Sequence, residues 1–126
     1  MLNKYEVLLG LLPRPSSSNV LFDDGRLVIQ GRDGGGRVIL EIAFSSVDFI
    51  GISDEGARLR LFADMGERRG ALIRCNEGSL ISYYVDESLG TRSSHQLAHF
   101  IFMIGEEVID VISGDDPEVL VGESLS

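Results

Sequence analysis

Apolar and polar residues alternate with a period of two through the middle of the chain, at positions 20–86. Short apolar runs are separated there by glycine-containing turns such as Asp24-Gly25. Asp-Gly between two apolar runs is typical of a β-hairpin, because both residues can adopt positive φ. The pattern predicts antiparallel strands at 20–22, 26–31, 37–44, 47–53, 58–63, 71–75 and 80–85.

The period changes after position 92, where apolar residues recur at intervals of three and four. Ser93 and Gln96 have the spacing of a helix capping box, and Gly114 and Pro117 are typical of a helix end. The apolar stripe between them consists of Leu97, Phe100, Ile101, Ile104, Val108, Val111 and Ile112. We therefore predict one long amphipathic helix at 93–113.

The two ends of the chain have weaker patterns. Residues 3–12 have apolar positions at helical spacing and are followed by Pro13. They predict either a docked helix or a frayed arm. A linker that ends at residue 19 would join it to the first predicted strand. Residues 115–126 are interpreted as an acidic tail.

These elements predict a single α+β domain at 1–126. Six to seven short strands would form an antiparallel β-meander, curved around the C-terminal amphipathic helix. That order resembles a pleckstrin-homology-type barrel, whose open end is filled by a C-terminal helix. The likeness concerns topology alone, and a function does not follow from it.

Charge is distributed unevenly over the 126 residues. The net charge is −9, yet residues 93–126 contain seven carboxylates and no Lys or Arg. A field of one sign argues against direct nucleic-acid binding, which needs cations to neutralise phosphates. It favours a basic protein partner, or else serves solubility.

Cysteine usage and the N-terminal sequence bear on the compartment. Cys75 is the single cysteine, so an intrachain disulfide is excluded and a reducing compartment is favoured. The apolar run at 7–12 is too short to span a membrane and lacks the features of a signal peptide. We predict a cytoplasmic protein without a membrane association.

Candidate catalytic and metal-binding residues are few. His95 and His99 are four residues apart, a spacing that suits two metal ligands on a helix, but Gln96 stands where a zinc protease has its glutamate. We interpret both histidines as solvated and Cys75 as an inert buried thiol. The glycines at 31–36 precede a predicted strand and not a helix, so they indicate a hairpin tip. No metal, no cofactor and no enzymatic activity is predicted.

One face of the predicted helix combines apolar and acidic residues. Phe102 and Met103 are out of place on a solvated face. Either the N-terminal segment covers them, or they are anchors of a binding surface with a charged rim. The predicted partner-binding residues are Phe102, Met103, Glu106, Glu107, Asp110, Asp115, Asp116 and Glu118.

In size, acidity and α+β layout the chain resembles the immunity proteins of bacterial polymorphic-toxin and contact-dependent growth inhibition systems. The matching segment is 106–118 together with Phe102 and Met103. The resemblance implies a non-enzymatic protein that neutralises a basic partner, a toxin nuclease domain. The alternative is an acidic type III secretion-type chaperone that acts as a dimer, which a measurement of size without partner would distinguish.

Overall fold

The computed structural model of the chain describes residues 5–10, 15–66, 71–104 and 106–122. Nine strands and two helices are present in these ranges. The strands are β1 (Tyr5–Leu9), β2 (Ser17–Asp23), β3 (Arg26–Arg32), β4 (Val38–Phe44), β5 (Phe49–Asp54), β6 (Leu72–Cys75), β7 (Ala98–Ile104), β8 (Glu107–Ser113) and β9 (Glu118–Val121). The helices are α1 (Leu59–Met65) and α2 (Ser79–Glu87), and short 3-10 turns lie at Glu55–Ala57 and Ser94–Gln96.

The strands form two antiparallel sheets. The first has five strands in the order β1-β6-β7-β8-β5, and the second has four in the order β2-β3-β4-β9. β1 belongs to the first sheet; the chain then builds the β2-β3-β4 meander and returns to the first sheet through β5. In the last of the described ranges it enters the second sheet again, through the pairing of β9 with β4.

The two sheets pack face to face, because each has one apolar face. In the second sheet every other residue of β3 and β4 is buried, including Leu27, Leu40 and Phe44. These side chains form one core with residues of β7 and β8 in the first sheet. Phe44 and Phe100 meet there edge to face, with ring centroids 5.1 Å apart.

Helix α1 covers the opposite face of the five-stranded sheet. Leu61, Phe62 and Met65 recur at helical spacing and pack on a second core that includes Ile101 and Val108. The five-stranded sheet is therefore buried on both faces, and β7 has the continuous apolar sequence that this position requires. Neither described helix has the length or the apolar composition of a membrane span.

The prediction of a helix at 93–113 is wrong. A 3-10 turn and the paired strands β7 and β8 occupy this segment. A strand buried on both faces has apolar residues at nearly every position, so a helical stripe can be drawn through it as easily as a strand face. The predicted capping residues Ser93 and Gln96 do approach each other, but through the Gln96 amide and the Ser93 carbonyl, 3.1 Å apart.

The opposite error occurs at two predicted strands. In the strand predicted at 58–63, residues 59–63 lie in α1, and the strand predicted at 80–85 lies in α2. The alternation of Leu59 and Leu61 suggested a strand, yet Leu59 is exposed and Leu61 packs on the second core. The N-terminal prediction, a docked helix or a frayed arm, is also wrong where the segment is described, since Tyr5–Leu9 forms the paired strand β1.

Antiparallel pairing and the presence of helices agree with the α+β prediction in its general form. The strands predicted at 20–22, 26–31, 37–44, 47–53 and 71–75 overlap β2 to β6. The single curved sheet around a C-terminal helix is not found, because two sheets face each other and residues 98–104 and 107–113 are strands. Part of the predicted tail at 115–126 is β9.

Candidate functional site

The two predicted apolar anchors lie on opposite faces of β7. Phe102 is 1% exposed and belongs to the core between the sheets. Met103, the next residue, packs at the second core together with Phe62 of α1. Successive residues of a strand point in opposite directions, so these two side chains cannot form one exposed pair. Phe102 shares its core with residues of the second sheet, and Leu9 of the N-terminal strand β1 packs against the same core. Tyr5 of β1 belongs to the core on which Met103 packs, so the N-terminal segment contributes to the cover of both residues.

The predicted acidic residues are divided between the two ends of β8. Glu106 and Glu107 lie at its start, whereas Asp115, Asp116 and Glu118 follow its end. A strand of seven residues is about 20 Å long. The predicted rim is therefore two separate groups, with Asp110 buried between them.

Tertiary structure adds two further carboxylates to the first group. Asp54, at the end of β5, is the register partner of Glu107. The Glu55 amide donates a hydrogen bond to the Glu106 carbonyl, with N and O 2.7 Å apart. We call Asp54, Glu55, Glu106 and Glu107 the acidic end. All four are exposed, and none forms an ion pair with another described residue.

Asp54 has a structural role in addition to its charge. Its side chain accepts a hydrogen bond from the Gly56 amide at 2.8 Å and so caps the 3-10 turn that leads into α1. Its position opposite Glu107 is nevertheless unfavourable, since like charges directly opposite each other destabilise a sheet. Within the described ranges, no ion pair to a Lys or Arg side chain offsets this repulsion.

Exposed apolar residues flank the acidic end. Leu59, at the start of α1, is 69% exposed and lines a shallow cavity with Asp54, Glu55 and Glu106. Ile52, on β5, is 55% exposed. Apolar side chains beside carboxylates have the composition of a protein-binding surface with anchors and a charged rim.

Asp110 has a different environment from the other predicted acidic residues. Its Oδ1 lies 2.6 Å from Nε2 of His99 on β7. Arg58, which precedes α1, donates to both carboxylate oxygens, from Nη1 to Oδ2 and from Nη2 to Oδ1 at 3.2 Å. The same guanidinium also donates to Ser53 Oγ at 3.2 Å. Asp110 thus links β7, β8 and the start of α1.

Burial of Asp110 by itself would raise the pKa of its carboxyl group, because it disfavours the charged form. The hydrogen bonds from His99 and Arg58 outweigh burial and hold the pKa of Asp110 below its ordinary value. Asp110 is therefore ionised at neutral pH, and it is satisfied within the domain. It is not available as a surface charge for a partner.

A cavity of about 480 Å³ lies beside this cluster. His99 and Arg58 line it together with Tyr5, Asp64 and Cys75. The Tyr5 hydroxyl donates to Asp64 Oδ2 at 2.5 Å. Burial is the larger cause and the hydrogen bond to Asp64 the next, and both raise the pKa of the Tyr5 hydroxyl. The hydroxyl therefore stays protonated.

The two histidines do not share one face. His95 is exposed in a 3-10 turn, whereas His99 is 4% exposed on β7, so the prediction that both are solvated fails for His99. No group of three His, Cys, Asp or Glu side chains within the described ranges has a metal-binding arrangement.

Comparisons with protein-family models, with curated proteins and with solved structures find no match to this chain. Membership of the immunity proteins stays a prediction. The candidate sites are therefore interpreted from the chemistry of this chain's own residues.

The sequence pattern did not indicate Asp54, Glu55 and Arg58 as candidate functional residues. Asp54 and Glu55 lie more than 50 residues before Glu106 in the sequence. The pairing of β5 with β8 brings them close to it. A usable signal exists in the sequence: Gly105-Glu106 separates two apolar runs, and glycine at the first position of a two-residue turn is typical of a hairpin.

Proposed function

We propose that this chain is a cytoplasmic binding protein that neutralises a basic partner, a toxin nuclease domain, through its acidic end. Neutralisation would need no chemical step. Nuclease active sites are cationic because they hold phosphates, so a rigid group of carboxylates competes for the same surface. This is the mode of action implied by the resemblance to immunity proteins of polymorphic-toxin systems.

The observation that carries this proposal is the pairing of Asp54 with Glu107 beside an exposed Leu59. Within a folded monomer, opposed carboxylates without a described cation cost stability. In a complex, Arg or Lys side chains of a partner would relieve that repulsion, and Leu59 would supply an apolar anchor. Both features are thus accounted for by one basic partner.

The test is complex formation with a basic toxin nuclease domain, to be sought in the reading frames beside the gene for this chain. We expect a one-to-one complex in size-exclusion chromatography and loss of the partner's nuclease activity at equimolar protein. The association rate constant of the two proteins should fall as the salt concentration rises, because the Debye length shortens from about 30 Å at 0.01 M to about 8 Å at 0.15 M.

Two outcomes would count against this function. A complex whose association rate is independent of salt would remove the acidic end from the binding mechanism. A stable dimer of this chain alone, without inhibition of a nuclease, would favour a secretion chaperone. Exposed Tyr83 on α2 serves as a control, because Tyr83→Ala should leave association unchanged.

A further inference from the structure

Cys75 and His99 are brought together at the wall of the cavity described above. They are register partners on the neighbouring strands β6 and β7. Directly opposed residues of antiparallel strands have Cβ atoms about 4.5–5.5 Å apart and side chains on the same face. Both residues line the cavity of about 480 Å³, which is partly open to solvent. The thiol and the imidazole therefore lie on the same face of the sheet, at the wall of this cavity.

The hydrogen bond to Asp110 determines which nitrogen of His99 can act as a base. An ionised carboxylate only accepts hydrogen bonds, so the imidazole nitrogen bonded to it, Nε2, carries the proton. In the neutral ring, Nδ1 then holds a free electron pair. Nδ1 makes no hydrogen bond to a described residue, and Arg58 fixes the carboxylate from its other side. This is a base whose orientation is set by a third group.

The start of α2 supplies backbone donors beside the thiol. Gly78 precedes this nine-residue helix, and no side chain caps its N-terminus. The first amides of a helix lack acceptors within it and carry positive partial charge. Ser79 and Leu80 line the cavity, and a Cβ at Gly78 would lie 3.7 Å from Cys75 Sγ. The φ of Gly78, 149°, is a backbone conformation that favours glycine.

We propose that Cys75, His99 and Asp110 form a thiol acyl-transfer site, with Cys75 as nucleophile, His99 as base and Asp110 as positioning residue. The substrate class is a small ester or thioester whose acyl group fits the cavity. Arg60, which lines the same cavity and has no ion pair with a described residue, would bind an anionic group on that substrate. Cys75 is 2% exposed, so the prediction of a buried thiol is confirmed, and the proposal differs only from the expectation that it is inert.

The reaction balances without an oxidant or reductant. The Cys75 thiol gives its proton to His99 Nδ1, and sulfur bonds to the acyl carbon while the α2 amides stabilise the oxyanion. The bond from carbon to the leaving group breaks, and that group takes the proton from His99. Water then attacks the thioester, His99 accepts its proton, and the carbon–sulfur bond breaks. The thiol regains the proton, and a carboxylic acid is released.

One feature of the resting site must change before attack. The Cys75 thiol donates to the backbone carbonyl of Glu77, two residues later. Rotation about the Cα–Cβ bond would redirect the sulfur from that carbonyl toward the cavity that Cys75 lines. We therefore expect a slow but site-specific acylation with an unselected substrate.

p-Nitrophenyl acetate is the probe that tests the site in the full-length chain. We expect one equivalent of p-nitrophenolate to be released in a burst, with acetyl found on Cys75 by mass spectrometry. Cys75→Ser should abolish that adduct. His99→Gln retains an N–H donor for Asp110 but has no basic nitrogen, so acylation should slow by about 10²–10⁴-fold.

A measurement on the unsubstituted chain keeps the test decisive if His99→Gln does not fold. Prior alkylation of Cys75 with iodoacetamide should abolish the burst of p-nitrophenolate, because the alkylated sulfur is no longer a nucleophile. A burst that survives complete alkylation of Cys75, or acetylation that persists in Cys75→Ser, would overturn the proposal. The acidic end does not include Cys75, His99 or Asp110, so Cys75→Ser should still bind the basic partner. The acyl-transfer proposal and the proposed binding function can therefore fail separately.

Discussion

Replacement of Asp110 by alanine should lower the free energy of unfolding by about 3–5 kcal/mol, the usual effect of breaking a buried ion pair. The substitution leaves the Arg58 guanidinium and the His99 ring without the carboxylate that both contact. It also removes the link between β7, β8 and the start of α1. Chemical denaturation at pH 7 would measure the change.

The matched control is Asp116→Ala. Asp116 also pairs with an arginine, Arg74, at 3.2 Å, but its side chain is 64% exposed. Exposed ion pairs contribute about 0–1 kcal/mol, so this substitution should have little effect. Equal effects at Asp110 and Asp116 would show that the Asp110 cluster does not stabilise the fold.

The same carboxylate should make stability depend on pH. Because its pKa is lower in the folded chain than in the unfolded chain, the unfolded state binds more protons at acid pH. The contribution of Asp110 is complete above the unfolded pKa of about 4 and is lost as pH falls through the folded pKa. Asp110→Asn should lack this component, so its stability should approach that of the unsubstituted chain as the solution is acidified.

Charge reversal at the acidic end should reduce the association rate constant by about 10-fold or more at low salt. The double substitution Glu106→Lys with Glu107→Lys replaces two exposed carboxylates opposite β5. Long-range attraction to a basic partner would then become repulsion. Stopped-flow association at low and at high salt would measure the loss, which should shrink as salt screens the charges.

The control for this result has the same change in net charge. Asp115→Lys with Glu118→Lys reverses two exposed carboxylates beyond the opposite end of β8. If only net charge matters, both double variants will slow association equally. If the acidic end is the contact surface, the control will retain most of the rate.

The sequence predicted much of the second sheet, because its strands have one buried face. The alternation of Leu40, Ile42 and Phe44 is visible without any structure, and Asp24-Gly25 fixes the turn between β2 and β3. Asp24 and Gly25 do adopt the positive φ that such a turn requires, 52° and 79°. A strand with one face toward solvent can therefore be predicted from its own residues, because buried and exposed positions alternate along it.

The first sheet could not be predicted in the same way. β7 and β8 are buried on both faces, so their sequences lack the alternation that distinguishes a strand from a helix. Asp110 appeared to be a surface charge because nothing local indicates that Arg58, 52 positions earlier, pairs with it. The same long-range pairing joins Asp54 to Glu107, and it was therefore not apparent from sequence.

Backbone amide hydrogen exchange, with and without the basic partner, tests the location of the binding surface most directly. We predict slower exchange in the complex at residues 54–59 and 106–107, which form the acidic end and the start of α1. The segment 115–118 should exchange equally in both states. Protection confined to 115–118 or to the turn at Asp23–Gly25, with none at 54–59, would contradict it.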